Sequence, residues 1–218
     1  MGLLKLEALR SAPLQTDPFD YLVVEQFLDE AAQASILQGF PSMPDAGSFP
    51  LSEVEVGPGL QALFDALDGA GFRQAVEEKF ELDLSGKPTM FTVRGRCDAR
   101  DGRIHTDSKK KIITVLVYLN EGWAEDGGRL RLLRNGEDLG AVITEVSPAF
   151  GTLLVFRRSD RSWHGHEPYV GPRKVIQMNW VVSDGVAAWE QLRHRISAAA
   201  KRLKGGRGDA GKRDPRAA

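Results

Sequence analysis

The hydrophobic pattern changes period near residue 87, and that change restricts the fold more than any other feature of the chain. Before it, apolar residues recur at helical spacing: Leu60, Leu63, Phe64 and Leu67, then Phe72, Ala75, Val76 and Phe80. After it come short β-branched or alternating runs at Thr89–Val93, Lys111–Leu119, Arg129–Leu133, Ala141–Val146, Thr152–Phe156 and Lys174–Val182. Clusters of Gly, Pro, Asn and Asp separate them, and Asn135-Gly136 and Gly127-Gly128 are turn signals. An earlier short strand is expected at Tyr21–Val24, an amphipathic helix over residues 27–40, and a loop over 41–59. Helices followed by a run of strands predict a mostly β domain with flanking helices, as an antiparallel sandwich or barrel.

Composition sets the outer limits. The 218 residues, 42% of them hydrophobic, can fill a sizeable core without a metal or disulfide staple. The one cysteine, Cys97, excludes an intramolecular disulfide framework and suits the cytoplasm. A net charge of −1 argues against a nucleic-acid binder. No apolar run approaches the ~20 residues of a spanning helix, and the N-terminal apolar patch is charged too soon for a signal peptide. The expected organisation is a single domain over residues 1–204: a mainly helical support (1–86), a β core (87–183) and a C-terminal helix (186–204). Residues 205–218 are expected to form a disordered tail. From Lys201 onward there are seven basic and two acidic residues, which reads as a solvated, solubilising end. No repeat and no Gly-rich phosphate loop is visible.

The chain has four histidines: His105, His164, His166 and His194. In an extended segment, residues two apart face the same side, so His105 and Asp107 converge on one point. Two imidazoles and one carboxylate on one face of a metal leave positions open, as non-haem Fe(II) oxygenases require. Either His164 or His166, after the Thr152–Phe156 strand, supplies the second imidazole. Arg173 opens the next strand nine residues after His164, where a guanidinium could grip a carboxylate in bidentate fashion.

Five segments in order carry a resemblance: Arg103–Asp107, Ile113–Trp123, Gly127–Leu130, Val146–Phe156, and His164 with Arg173. Together they resemble the prolyl-4-hydroxylase-like branch of the Fe(II)/2-oxoglutarate-dependent dioxygenases, over about residues 90 to 183. The resemblance implies a double-stranded β-helix (jelly-roll) core. It implies His105, Asp107 and His164 as iron ligands, and Arg173, Tyr118 and Thr114 around the C5 carboxylate of 2-oxoglutarate. It also implies ascorbate as reductant. The reaction would consume O2, release succinate and CO2, and hydroxylate a small-molecule or peptidyl substrate such as a prolyl residue. The N-terminal helices would brace the barrel and offer a homodimer surface; no membrane or nucleic-acid partner is expected.

The chain departs from the family in having Arg94-Gly95-Arg96-Cys97 where a co-substrate tyrosine is frequent. Arg94 or Arg96 supplies charge there, or lies exposed on a strand edge. The nine-residue spacing to Arg173 favours His164 over His166, which becomes an outer or substrate contact. Lys109-Lys110-Lys111 and the Arg157–Arg161 stretch read as solvated faces. Trp163 walls the site or packs, Cys97 packs, and His194 is surface. Two other readings fit part of the pattern. One is a metal-binding β-helix with different chemistry, such as a zinc hydrolase or a cupin-like dioxygenase. The other is a non-catalytic binding module.

Overall fold

Strands that alternate between two buried faces need a partner on each side, and the chain supplies helices for one and a second sheet for the other. The computed structural model describes residues 2–186; the expected C-terminal helix beyond that point, His194 and the basic tail lie outside the described residues. In chain order the elements are α1 (Leu6–Ser11), β1 (Tyr21–Val24), α2 (Gln33–Gln38), β2 (Phe49–Pro50), α3 (Pro58–Asp68) and α4 (Ala70–Phe80). There follow β3 (Thr89–Cys97), β4 (Lys111–Tyr118), β5 (Leu130–Leu133), β6 (Val142–Val146), β7 (Leu153–Arg157), β8 (Trp163–Gly165) and β9 (Gly171–Val181).

Six strands form a major sheet in the order β1-β7-β4-β9-β3-β2, and three form a minor sheet, β6-β5-β8. The paired strands run antiparallel. The N-terminal third is therefore more than a helical support, because β1 and β2 form the two edges of the major sheet. β2 lies inside the stretch expected to be loop.

Each central strand of the major sheet splits its side chains by parity. Ile113, Val115 and Val117 of β4 and Ile176, Met178 and Trp180 of β9 face the helices, where they join Leu60, Leu63, Phe64, Phe72 and Val76 in one core. Phe72 stacks on Trp180 with ring centroids 6.0 Å apart. The opposite faces of β4, β7 and β9 give Tyr118, Leu154, Phe156 and Val175 to a second core, shared with Leu130, Leu132 and Val146 of the minor sheet. One end of the space between the sheets is closed by this second core. The other end is open and polar, and it holds the candidate site.

The helix patterns seen in the sequence are realised by α3 and α4. Pro58 opens α3 at a position where its missing N–H costs nothing. Glu81, at a φ of 49°, closes α4 in the left-handed region. The joint between α2 and α3 is set by Gly59: a Cβ there would sit 2.3 Å from the Ser35 carbonyl oxygen. Gly→Ala inside a helix ordinarily stabilises by about 1 kcal/mol. Gly59→Ala is expected to do the reverse, destabilising by about 1–3 kcal/mol because two backbones must part. Urea unfolding checks this; a variant as stable as wild type would show that the helices separate freely.

Candidate metal centre and active-site cavity

The two histidines that the sequence places 59 positions apart are direct neighbours across the chain. His105 and His164 form an antiparallel bridge, each donating its backbone N–H to the other's carbonyl at 3.0 Å. Their rings lie 4.3 Å apart. His164 sits in the middle of β8, opposite Leu132 of β5. His105 belongs to the loop between β3 and β4, which crosses β8.

Both imidazoles are held in the same way. Nδ1 of His105 lies 2.9 Å from the Arg103 carbonyl, and Nδ1 of His164 lies 3.0 Å from the Ser162 carbonyl. A carbonyl oxygen only accepts, so each Nδ1 carries a proton, and in the neutral ring it is Nε2 that offers the lone pair. Burial is the main reason the His164 imidazole is pushed down to about 4, with the Asp107 carboxylate opposing; it is neutral and able to ligate near pH 7.

Asp107 completes the group. One ligand atom from each of His105, Asp107 and His164 lies within 4.8 Å of the others, the one such group among the described residues. Thr114 Oγ1 donates to Asp107 Oδ2 at 2.6 Å, and Asn179 Nδ2 donates to Thr114 Oγ1 at 2.8 Å. Gln177 in turn donates to Asn179 at 3.0 Å. Lys111 Nζ meets Asp107 Oδ1 at 2.7 Å. Burial would raise the Asp107 carboxyl, but the Lys111 charge, the neighbouring His164 and the hydrogen bonds from Lys111 and Thr114 outweigh it. The group is held well below the usual carboxylate range and stays ionised. Arg158 Nε donates to the Asp107 carbonyl at 3.1 Å, pinning the loop that carries it. Two imidazoles anchored through Nδ1, the buried His164 neutral, and one ionised carboxylate are a donor set that fits Fe(II), and it leaves other positions open.

The group opens into a cavity of about 460 Å³ between the sheets. Arg173 lines this cavity and is 5% exposed. Its Nε donates to the Gly128 carbonyl at 2.7 Å, and its guanidinium lies over the Tyr118 ring, 5.2 Å from the centroid. Nη2 reaches the Tyr118 hydroxyl at 3.4 Å. Burial raises the Tyr118 hydroxyl despite the nearby Arg173 charge, so it stays protonated. No salt bridge joins Arg173 to a carboxylate among the described residues. A buried guanidinium without a carboxylate is an anion site in waiting.

Other residues singled out in the sequence take distinct places. His166 also lines the cavity, but it stands outside the three-residue group, its Nδ1 against the Glu167 carbonyl at 2.8 Å. Desolvation is the main reason its imidazole is pushed down to about 4, with Arg173 adding to the effect. Arg94 lines the cavity and pairs with Asp101 at 2.8 Å, whereas Arg96 is exposed. Trp163 packs on Gly136 rather than walling the cavity. Lys109 and Lys110 are exposed, as a solvated run should be, but Lys111 is not: its side chain is 10% exposed and faces the cavity. Gln177 and Asn179 went unnoticed in the sequence, although two polar residues two apart in an apolar strand are the signal of a polar cavity face.

Residues 96–182 match the family model described as 2OG-Fe(II) oxygenase superfamily. The matched stretch, about two-fifths of the chain, is similar to the 2OG-Fe(II) oxygenases. The matched stretch contains His105, Asp107, His164 and Arg173. No curated protein sequence matches the chain. Solved structures do. A prolyl 4-hydroxylase from Phytophthora capsici is 20% identical with a TM-score of 0.57, the match covering 89% of this chain and 72% of that one. A prolyl-4-hydroxylase from Pseudomonas putida is 17% identical with a TM-score of 0.51, covering 82% and 93%. The collagen prolyl hydroxylase of Paramecium bursaria Chlorella virus-1, solved with 2-oxoglutarate, is 13% identical with a TM-score of 0.53, covering 75% and 96%. These likenesses give the 2OG-Fe(II) oxygenase its fold, a double-stranded β-helix with flanking helices. The enzyme is a 2-oxoglutarate-dependent non-haem iron dioxygenase. No helix among its described residues is long and apolar enough to cross a membrane.

Proposed function

We propose that this oxygenase holds Fe(II) through Nε2 of His105, Nε2 of His164 and the carboxylate of Asp107, and hydroxylates a substrate that enters the cavity between its sheets. Arg173 carries the co-substrate half of the reading. Its buried charge, without a carboxylate of the protein's own, matches the C5 carboxylate of 2-oxoglutarate, and the protonated Tyr118 hydroxyl beside it adds a donor. Thr114, expected beside the co-substrate, serves the metal side by orienting Asp107. When bound, iron with 2-oxoglutarate supplies the oxidising power, with release of succinate and CO2. The chain's own part is to orient both imidazoles and keep His164 neutral, keep Asp107 ionised and aligned, and neutralise the co-substrate at Arg173. The apolar wall of Leu130, Phe156 and Val175 keeps bulk water from the far end of the cavity.

The prime substrate enters past Ser48, Thr92, Gln177 and Asn179, a polar face suited to a peptide or a small polar molecule. A prolyl residue is the first candidate, because the solved relatives above carry the name prolyl hydroxylase. Ascorbate as reductant, a cytoplasmic setting and a homodimer complete the reading; the single cysteine and the near-zero net charge are in keeping with the setting.

Anaerobic addition of Fe(II) and then 2-oxoglutarate is expected to produce a visible metal-to-ligand charge-transfer band. Admitting O2 should release succinate slowly, and faster when a proline-containing peptide is the true substrate. Tight zinc binding with no such band would favour the hydrolase reading instead.

A further inference from the structure

Lys111 is a charged group of the cavity to which the reading above gives no task. Regular alternation along β4 would place it with Ile113, Val115 and Val117, facing the helices. A bulge between Lys111 and Ile113 breaks the register against β9 and turns Lys111 into the cavity instead. There its ammonium meets Asp107 Oδ1 at 2.7 Å, with the two side chains 10% and 8% exposed.

The two oxygens of Asp107 thus have unlike partners. Oδ2 takes a neutral hydrogen bond from Thr114, backed by Asn179 and Gln177. Oδ1 takes a full positive charge. The neutral chain already fixes the carboxylate's direction, and burying an ammonium is costly, so orientation alone does not account for Lys111. What the charge adds is a field: a fixed cation beside a metal ligand opposes every further positive charge on the metal, and a pair this far buried is screened less than a surface one. Ferric iron carries one positive charge more than ferrous iron and is disfavoured more.

We propose that Lys111 is a positioning residue of the metal centre whose charge, acting through Asp107, biases the site toward the ferrous ion. The proposal rests on the assignment of His105, Asp107 and His164 to iron. It predicts that the ratio of ferric to ferrous affinity, not merely affinity itself, depends on Lys111. A purely structural role would weaken both ions alike and leave that ratio unmoved.

The test is a mediated redox titration of the iron-loaded protein without 2-oxoglutarate, with the ferric form followed by electron paramagnetic resonance. Lys111→Met, and Lys111→Gln as a second neutral variant, are expected to shift the ratio about tenfold toward ferric iron, a fall in potential of about 59 mV for one electron. Lys111→Arg, which keeps the charge, should restore most of the wild-type potential. Thr114→Val, which removes only the neutral bond, should move it less. A potential unchanged or raised in the neutral variants would overturn the proposal. So would loss of iron uptake by folded protein in both, which would make Lys111 a structural support. A wild-type protein that takes up no iron would instead overturn the metal assignment on which the proposal rests.

Discussion

Asp107→Ala protein is expected to bind Fe(II) at least on the order of 100-fold more weakly than wild type. Loss of an outer partner of a metal ligand alone costs about 10- to 100-fold, and here the one anionic donor of the group disappears. Melting curves read this directly. Metal at about 100 times its Kd adds about 2.7 kcal/mol to the stability of a protein that binds it only when folded. Wild type should gain that increment and the variant no more than about 0.4 kcal/mol. A second effect points the same way. Asp107 is the partner of Lys111 at 2.7 Å, and deleting it leaves a largely buried ammonium without that partner. The metal-free variant should therefore melt below metal-free wild type, by up to about 3–5 kcal/mol, the usual penalty for breaking a buried pair from one side. An Asp107→Ala protein that Fe(II) still stabilises as it does wild type would remove Asp107 from the metal centre.

For Arg173→Met the expected result has two parts of opposite sign. Binding of 2-oxoglutarate should weaken by about 2–5 kcal/mol, the range for removing one partner of a buried charged pair, or on the order of 30- to 4,000-fold. Stability without ligand should hold or rise, because the guanidinium has no carboxylate among the described residues and its removal takes a desolvated charge out of the interior. Lys at this position should recover part of the binding, having the charge but not the fork. Anaerobic titration of the charge-transfer band gives the affinity, and urea unfolding of the metal-free protein gives the stability. An unaltered 2-oxoglutarate affinity would mean that the co-substrate carboxylate lies elsewhere in the cavity.

Residues of the site were legible where one local rule decides the outcome. His105 and Asp107 face one way because they are two apart in extended chain, and Arg173 was found from its nine-residue distance to His164. β4 and β7 were legible because they are buried on both faces over most of their length and read as nearly unbroken apolar runs. What escaped the sequence depends on contacts between distant segments. β8 is three residues long, too short to show alternation, and exists because β5 pairs with it. β2 is two residues completing a sheet edge. α1 spans six residues and is held by packing of Leu9 in the helical core. Lys111 read as the end of a solvated run because nothing local announces the bulge that follows it. Arg94 was undecided for a like reason: its ion pair with Asp101 depends on how the loop after β3 folds back.

The division of β9 has a consequence for how such a protein can diversify. Ile176, Met178 and Trp180 belong to the helical core, whereas Arg173, Val175, Gln177 and Asn179 line the cavity. Substitutions at Val175 and Gln177 can therefore reshape what the cavity accepts while the core beneath stays as it is. Inserting or deleting one residue within the strand would exchange the two sets on one side of the change, carrying either Trp180 into the cavity or the Arg173 charge into the core. New specificities are accordingly open to this lineage by replacement along every second position of β9, and changes of length are left to the loops at its ends.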